Sequence, residues 1–165
     1  MRYKTFVKYI GGPTTYPIGQ FLNTNKKIVF DMLQPLLIKL GTIKRKPYIR
    51  IWCIGSSGCI LSTFAYNILS EAGYNVCIEH VPKLYEDRHS SGVRTYFGNK
   101  KVFEVIIDDF IVSGDSINRI IDYIKQNTLI KKVHALIVSG CDKESKVSNA
   151  IKFDLFISDK DINNL

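Results

Sequence analysis

Apolar positions along the chain follow two different spacings. From Lys26 to Leu40, the residues Ile28, Val29, Met32, Leu33, Leu36, Leu37 and Leu40 recur at helical intervals, and Gly41 is a natural C-terminal stop. Pro35 falls inside that pattern and predicts a kink or a division into two helices. Five denser apolar runs predict strands at Tyr48 to Ile54, Asn75 to Val81, Lys101 to Ile107, Val133 to Val138 and Asp154 to Ile157. Between them, Ile60 to Ala72, closed by Gly73, reads as a helix. So does Ser116 to Gln126, where Ile117, Ile120, Ile121 and Ile124 share one face. Runs such as Ile49 to Ile54 are nearly continuous rather than alternating, which suits strands covered on both faces. The expected architecture is α/β: one compact domain with a central, mostly parallel sheet flanked by helices and right-handed crossovers.

Two stretches do not fit the alternation. The first 24 residues are rich in Tyr, Gly, Pro and Thr, with turn signals at Gly11-Gly12-Pro13 and Tyr16-Pro17. With the kinked helix they predict a small N-terminal cap or hood over residues 1–47, leaving residues 48–165 as the α/β core. Lys83 to Lys100 is polar and longer than an ordinary connection.

A chain of 165 residues with 45% apolar side chains has material for a sizeable core and is not disordered. No apolar run reaches the ~18 residues that span a bilayer. The opening MRYKTFVKYIGG lacks a secretion signal's apolar core and cleavage site, so a cytoplasmic protein without a membrane partner is expected. Cys53, Cys59, Cys77 and Cys141 form no CxxC pair and read as reduced thiols, and His80, His89 and His134 stand at no zinc-ligand spacing. The net charge of +8 is unevenly distributed: residues 1–50 hold ten Lys or Arg against one acid, Asp31. This asymmetry fits a solvated basic face with no partner, a funnel for a polyanionic small substrate or, as the less favoured reading, a nucleic-acid surface.

Candidate chemistry lies at predicted strand ends, where ligands of open α/β sheets collect. Val102, Val105, Ile106 and Ile107 belong to an apolar run that stops at Asp108 and Asp109, and a short loop then reaches Ser113-Gly114-Asp115-Ser116 at the start of a helix. Two acids at a buried strand end, followed by a loop of backbone amides that opens a helix, make a site for an anion. Gly55-Ser56-Ser57-Gly58 closes the first strand in a second turn with amide and hydroxyl donors.

The segment from Val105 to Ser116 resembles the phosphoribosyl pyrophosphate (PRPP) motif of type I phosphoribosyltransferases: apolar strand, two acids, two apolar residues, one variable residue, then Ser/Thr-Gly-x-Ser/Thr. The resemblance implies transfer of phosphoribosyl from magnesium-bound PRPP to a nitrogenous base, by a pentosyltransferase acting as a homodimer. Val112, Ser113, Gly114, Asp115 and Ser116 would hold the 5-phosphate, and Asp108 and Asp109 would hold the ribose hydroxyls and, through water, Mg2+. Ser56, Ser57 and Gly58 resemble the pyrophosphate loop. Lys83, Arg88 and His89 lie where relatives carry a mobile catalytic loop, and Phe110 lies where relatives touch the base. In 6-oxopurine members an Asp occupies the variable position, here Val112, and a Lys follows the next strand, here at Ser139. These departures point away from a 6-oxopurine and leave the acceptor open among other nitrogenous bases, an orotate-like pyrimidine being one candidate. The alternative is a non-catalytic PRPP sensor with a nucleic-acid or protein partner.

Overall fold

The computed structural model describes residues 26–82, 101–111, 113–130, 132–141 and 155–157, with backbone only at 26–29, 31, 32, 109, 110, 138–141 and 155–157. Its elements run in the order α1 (Lys26–Gly41), β1 (Tyr48–Ile54), α2 (Gly55–Glu71), β2 (Asn75–Val81), β3 (Val102–Ile111), α3 (Asp115–Asn127), β4 (Ala135–Cys141) and β5 (Leu155–Ile157). The strands form one five-stranded sheet in the order β2-β1-β3-β4-β5. Every neighbouring pair is parallel, as continuous apolar strands require once helices cover both faces.

The two faces carry separate cores. On one, Leu33, Leu36 and Leu40 of α1 and Leu61, Ala65 and Leu69 of α2 pack on Ile49, Ile51, Phe103, Val105, Ile107, Ala135 and Ile137. On the other, Ile117, Ile120, Ile121 and Ile124 of α3 pack on Trp52, Ile54, Ile106 and Leu136. The inner face of α1, which the sequence assigns to the cap, is therefore part of the sheet's own core. Pro35 does not divide this helix, which runs unbroken from Lys26 to Gly41. Residues 1–25 and the long connection at 83–100 lie outside the described residues.

Four element boundaries differ from the sequence reading in ways that matter. β3 does not stop at the acids but continues to Ile111, because β4 runs beside it as far as Cys141 and extends the ladder through Asp108–Val138, Phe110–Gly140 and Ile111–Cys141. β4 itself starts two residues later and ends three residues later than predicted, so Ser139 is an interior strand position rather than one beyond the strand. α2 begins at Gly55, five residues before its apolar periodicity becomes visible. Its first turn is made of small polar residues, which carry no periodic signal. β5 begins at Leu155 and α3 spans Asp115–Asn127, each within a residue of expectation.

Lys46 belongs to the exposed basic connector Lys44 to Lys46, yet its ammonium group donates to the carbonyl of Ala72 at 2.9 Å and lies 5.0 Å from the Tyr74 ring centroid. It neutralises the carbonyl end of α2, so part of this basic run is structural. Among the described residues no helix is long and apolar enough to cross a membrane.

A polar group is buried between α3 and the sheet. The Trp52 indole N–H donates to Glu104 Oε2 at 2.7 Å, and Arg50 Nη1 stands 3.5 Å from Glu104 Oε1. Burial pushes the Glu104 pKa up, while the Trp52 hydrogen bond and the Arg50 charge oppose the shift and Glu79 adds to it. A carboxyl whose folded-state pKa lies above its unfolded value binds its proton more tightly when folded. Its contribution to stability is then fully present below the unfolded value and is lost as pH rises through the folded one. Glu104→Gln keeps an acceptor for Trp52 but removes the titration. The melting temperature of wild type minus that of Glu104→Gln should therefore fall as pH is raised from about 4.5 toward neutrality. A difference independent of pH would contradict this account.

Candidate functional site

The sheet order creates a crevice at one defined place. From β1 the chain passes through α2 on one face to β2, and from β3 it passes through α3 on the other face to β4. β1 and β3 are neighbours, so their outgoing connections part above and below the sheet and leave the space at their carboxyl ends open. The two motifs marked in the sequence stand on either side of that space: Gly55 to Gly58 after β1 and Ser113 to Ser116 after β3.

Each motif is a helix start. Gly55, at φ 68°, reverses the chain directly after the extended residue Ile54, so Ser56, Ser57 and Gly58 form the opening turn of α2 rather than a separate loop. Gly114, at φ 94°, performs the same reversal ahead of α3. In neither helix does the N-cap residue supply a side-chain hydrogen bond to the first turn. The first helical bond of α3 runs from the Asn118 N–H to the Gly114 carbonyl at 2.9 Å, so the amides of residues 115–117 precede it. The Asp115 amide donates to Ser113 Oγ at 3.2 Å, which holds the loop in a tight turn. The amides of Ser116 and Ile117 remain at the mouth of the helix, where its dipole favours an anion.

A cavity of about 140 Å³ opens at this point, lined by Asp108, Ile111, Ser113, Gly114, Asp115, Ser116 and Ile117. Asp108 is 6% exposed, a carboxylate at the cavity wall on a part of β3 that lies two residues beyond the β1 pairing and is paired with Val138 of β4. Gly58 reaches the same wall from the other motif: a Cβ at position 58 would stand 3.5 Å from Asp108 Oδ1, from Cys53 Cβ and from the Ile107 carbonyl. Ser56 is exposed and Ser57 half-buried. The arrangement thus joins amide and hydroxyl donors on two helix starts to one rigid acceptor between them.

The placement of the remaining candidates is uneven. Asp109 and Phe110 are consecutive backbone positions of β3, and Val112, Lys83, Arg88 and His89 lie outside the described residues. Ile111 and Ile117, two apolar walls of the cavity, escape the sequence reading because they look like ordinary core positions. Cys59 escapes it as well, although it directly follows the Gly55 to Gly58 turn. As to a metal, no group of three or more His, Cys, Asp and Glu side chains assembles among the described residues. Asp108 offers one carboxylate, which fits Mg2+ held mainly by substrate phosphates and water.

The fold is a parallel α/β sheet with helices on both faces, and solved phosphoribosyltransferases share it. The HGPRT-ase from Leishmania tarentolae, solved in complex with GMP, superposes with a TM-score of 0.53 at 11% identity, covering 81% of this chain and 78% of that one. A hypoxanthine-guanine-xanthine phosphoribosyltransferase gives a TM-score of 0.51 at 10% identity, covering 80% and 75%. No protein-family model and no curated protein sequence matches the chain. At these identities the likeness is one of fold.

The two glycines of the crevice should respond oppositely to alanine. Gly114→Ala places a Cβ on a left-handed backbone and should cost about 1–2 kcal/mol. Gly58→Ala meets only ordinary contacts within a helix and should leave stability unchanged or raise it by up to about 1 kcal/mol. Urea midpoints of the two variants check the contrast.

Proposed function

We propose that this protein binds magnesium-PRPP and transfers its phosphoribosyl group to a nitrogenous base. The observation that carries the reading is the meeting of Asp108 with Gly58 and with the 113–117 helix start at the crevice between β1 and β3. A sugar 5-phosphate needs convergent amides at a helix start, and a ribose needs a fixed acceptor beside them. Both needs are met within one small cavity, and the fold of the two solved phosphoribosyltransferases supports the same reading.

In this proposal Ser113, Gly114, Asp115 and Ser116, with Val112, hold the 5-phosphate. Asp108 and Asp109 accept from the ribose hydroxyls, and they bind Mg2+ through water. A bound Mg2+ draws negative charge from the pyrophosphate. The anomeric carbon loses pyrophosphate and gains a bond to a ring nitrogen, passing through oxocarbenium character that a nearby carboxylate stabilises. Ser56, Ser57 and Gly58 receive the leaving charge at the start of α2. Lys83, Arg88 and His89 would complete that set.

The acceptor in this reading is not a 6-oxopurine. The Val112 side chain offers no hydrogen bond to a purine edge and Ser139 brings no cation, and an orotate-like pyrimidine is one acceptor compatible with both. Phe110 would touch the base. The inner face of α1 is committed to the sheet core, and the proposed 1–47 segment would supply the cap over the base.

Millimolar magnesium-PRPP should raise the melting temperature of wild type by several degrees, and the double variant Asp108→Asn, Asp109→Asn should lose the shift while keeping its far-UV circular dichroism. Absence of a shift in wild type would refute the proposal. Pyrophosphate release from PRPP should then appear with one base from a panel including orotate, uracil, adenine, hypoxanthine and guanine. Donor binding without turnover on any base would identify a PRPP sensor instead.

A further inference from the structure

Two sulfur atoms lie behind the turn that opens α2. Cys53, the penultimate residue of β1, and Cys59, the fifth residue of α2, place their Sγ atoms 3.7 Å apart. Neither is in a disulfide. They stand six positions apart in the chain, and they meet because Gly55 folds the helix directly back from the strand.

Their surroundings give the two thiols different roles. Cys53 is fully buried, whereas Cys59 is half-buried. The hydrogen bond with Cys59, burial, and the Cys59 and Asp108 charges push the Cys53 thiol far up, with only the Ser62 hydroxyl opposing them. Cys53 therefore stays protonated, and an oxidant from solvent meets Cys59 first. Cys77 does not compete: it is in register with Arg50, so it projects to the sheet face opposite Cys53.

We propose that Cys53 and Cys59 form a redox site, in which a hydroperoxide closes a reversible disulfide across the start of α2 and thereby disables the anion-binding turn. In the first step the Cys59 sulfur, as thiolate, attacks a peroxide oxygen. The O–O bond breaks, one oxygen leaves as water after protonation, and Cys59 becomes a sulfenic acid. The Cys53 sulfur then displaces hydroxide from the Cys59 sulfur, and the proton it loses converts that hydroxide to water. With hydrogen peroxide the balance is two thiols oxidised by two electrons and one peroxide reduced to two waters.

The bond requires the sulfurs to close from 3.7 Å to about 2.05 Å, by rotation of the two side chains and movement of the backbone that carries them. Gly58 precedes Cys59, and a Cβ there would stand 3.5 Å from both Cys53 Cβ and Asp108 Oδ1, so backbone movement at the start of α2 falls on the donor turn where it packs beside that acid. The redox site stands on the sulfur geometry alone, and its effect on the donor rests on the function proposed above.

The experiment uses the full chain treated with equimolar hydrogen peroxide, blocked with iodoacetamide and digested with trypsin. Cleavage after Arg50 and Lys83 releases one peptide carrying Cys53, Cys59 and Cys77. It should lose two hydrogens with only Cys77 alkylated, recover on treatment with dithiothreitol, and show no bridge in Cys59→Ser. Alkylated Cys53 beside a sulfinic Cys59, or a bridge to Cys77 or Cys141, would overturn the site. The magnesium-PRPP melting shift should then fall severalfold in oxidised wild type and persist in peroxide-treated Cys59→Ser. A full shift in bridged protein would overturn the control of the turn. If reduced wild type shows no shift, the PRPP reading has failed, and the peptide map alone decides the redox site.

Discussion

The double pairing of β3 is the constraint on which the rest depends. With β1 on one side and β4 on the other, and with helices over both faces, β3 has nowhere to move. Asp108 follows the doubly paired stretch by two residues, where β4 still pairs the strand, so the acid stands on β3 and not on a loop of its own. A carboxylate buried to this degree is costly unless neighbouring groups or a ligand satisfy it. Asp108 lies at the place where two helix starts meet the sheet.

The same confinement orders the rest of the site. Because α2 and α3 leave β1 and β3 on opposite faces, their opening turns flank one crevice without touching through long side chains. Gly55 and Gly114 provide the two sharp reversals, and Gly58 allows the α2 start to lie against Asp108. The Cys53 and Cys59 pair arises from this geometry too, since a helix that begins at once after its strand brings its second turn beside the strand's last residues.

Much of this was legible in the chain, for physical reasons that can be named. Continuous apolar runs at Ile49 to Ile54 and Val105 to Ile107 can be buried on both faces only in a parallel sheet, and the isoleucines of α3 lie on a single stripe. What periodicity could not show is where small polar residues stop being loop and become helix, as at Gly55 to Cys59. Nor could it show that β3 runs through its acids, since the extension depends on β4 lying alongside. Lys46 looked like part of a solvated basic face and serves a helix end instead.

By itself, then, the sequence determined the α/β alternation, the two anion-type helix starts and the acids between them, because local patterning and turn chemistry act over a few residues. The tertiary structure decided which distant segments share the crevice. It set Gly58 against Asp108, joined Trp52 and Arg50 to Glu104, and brought two thiols within reach of each other. Such contacts follow from strand order and from the faces on which helices cross, and neither is written in the spacing of residues along one segment.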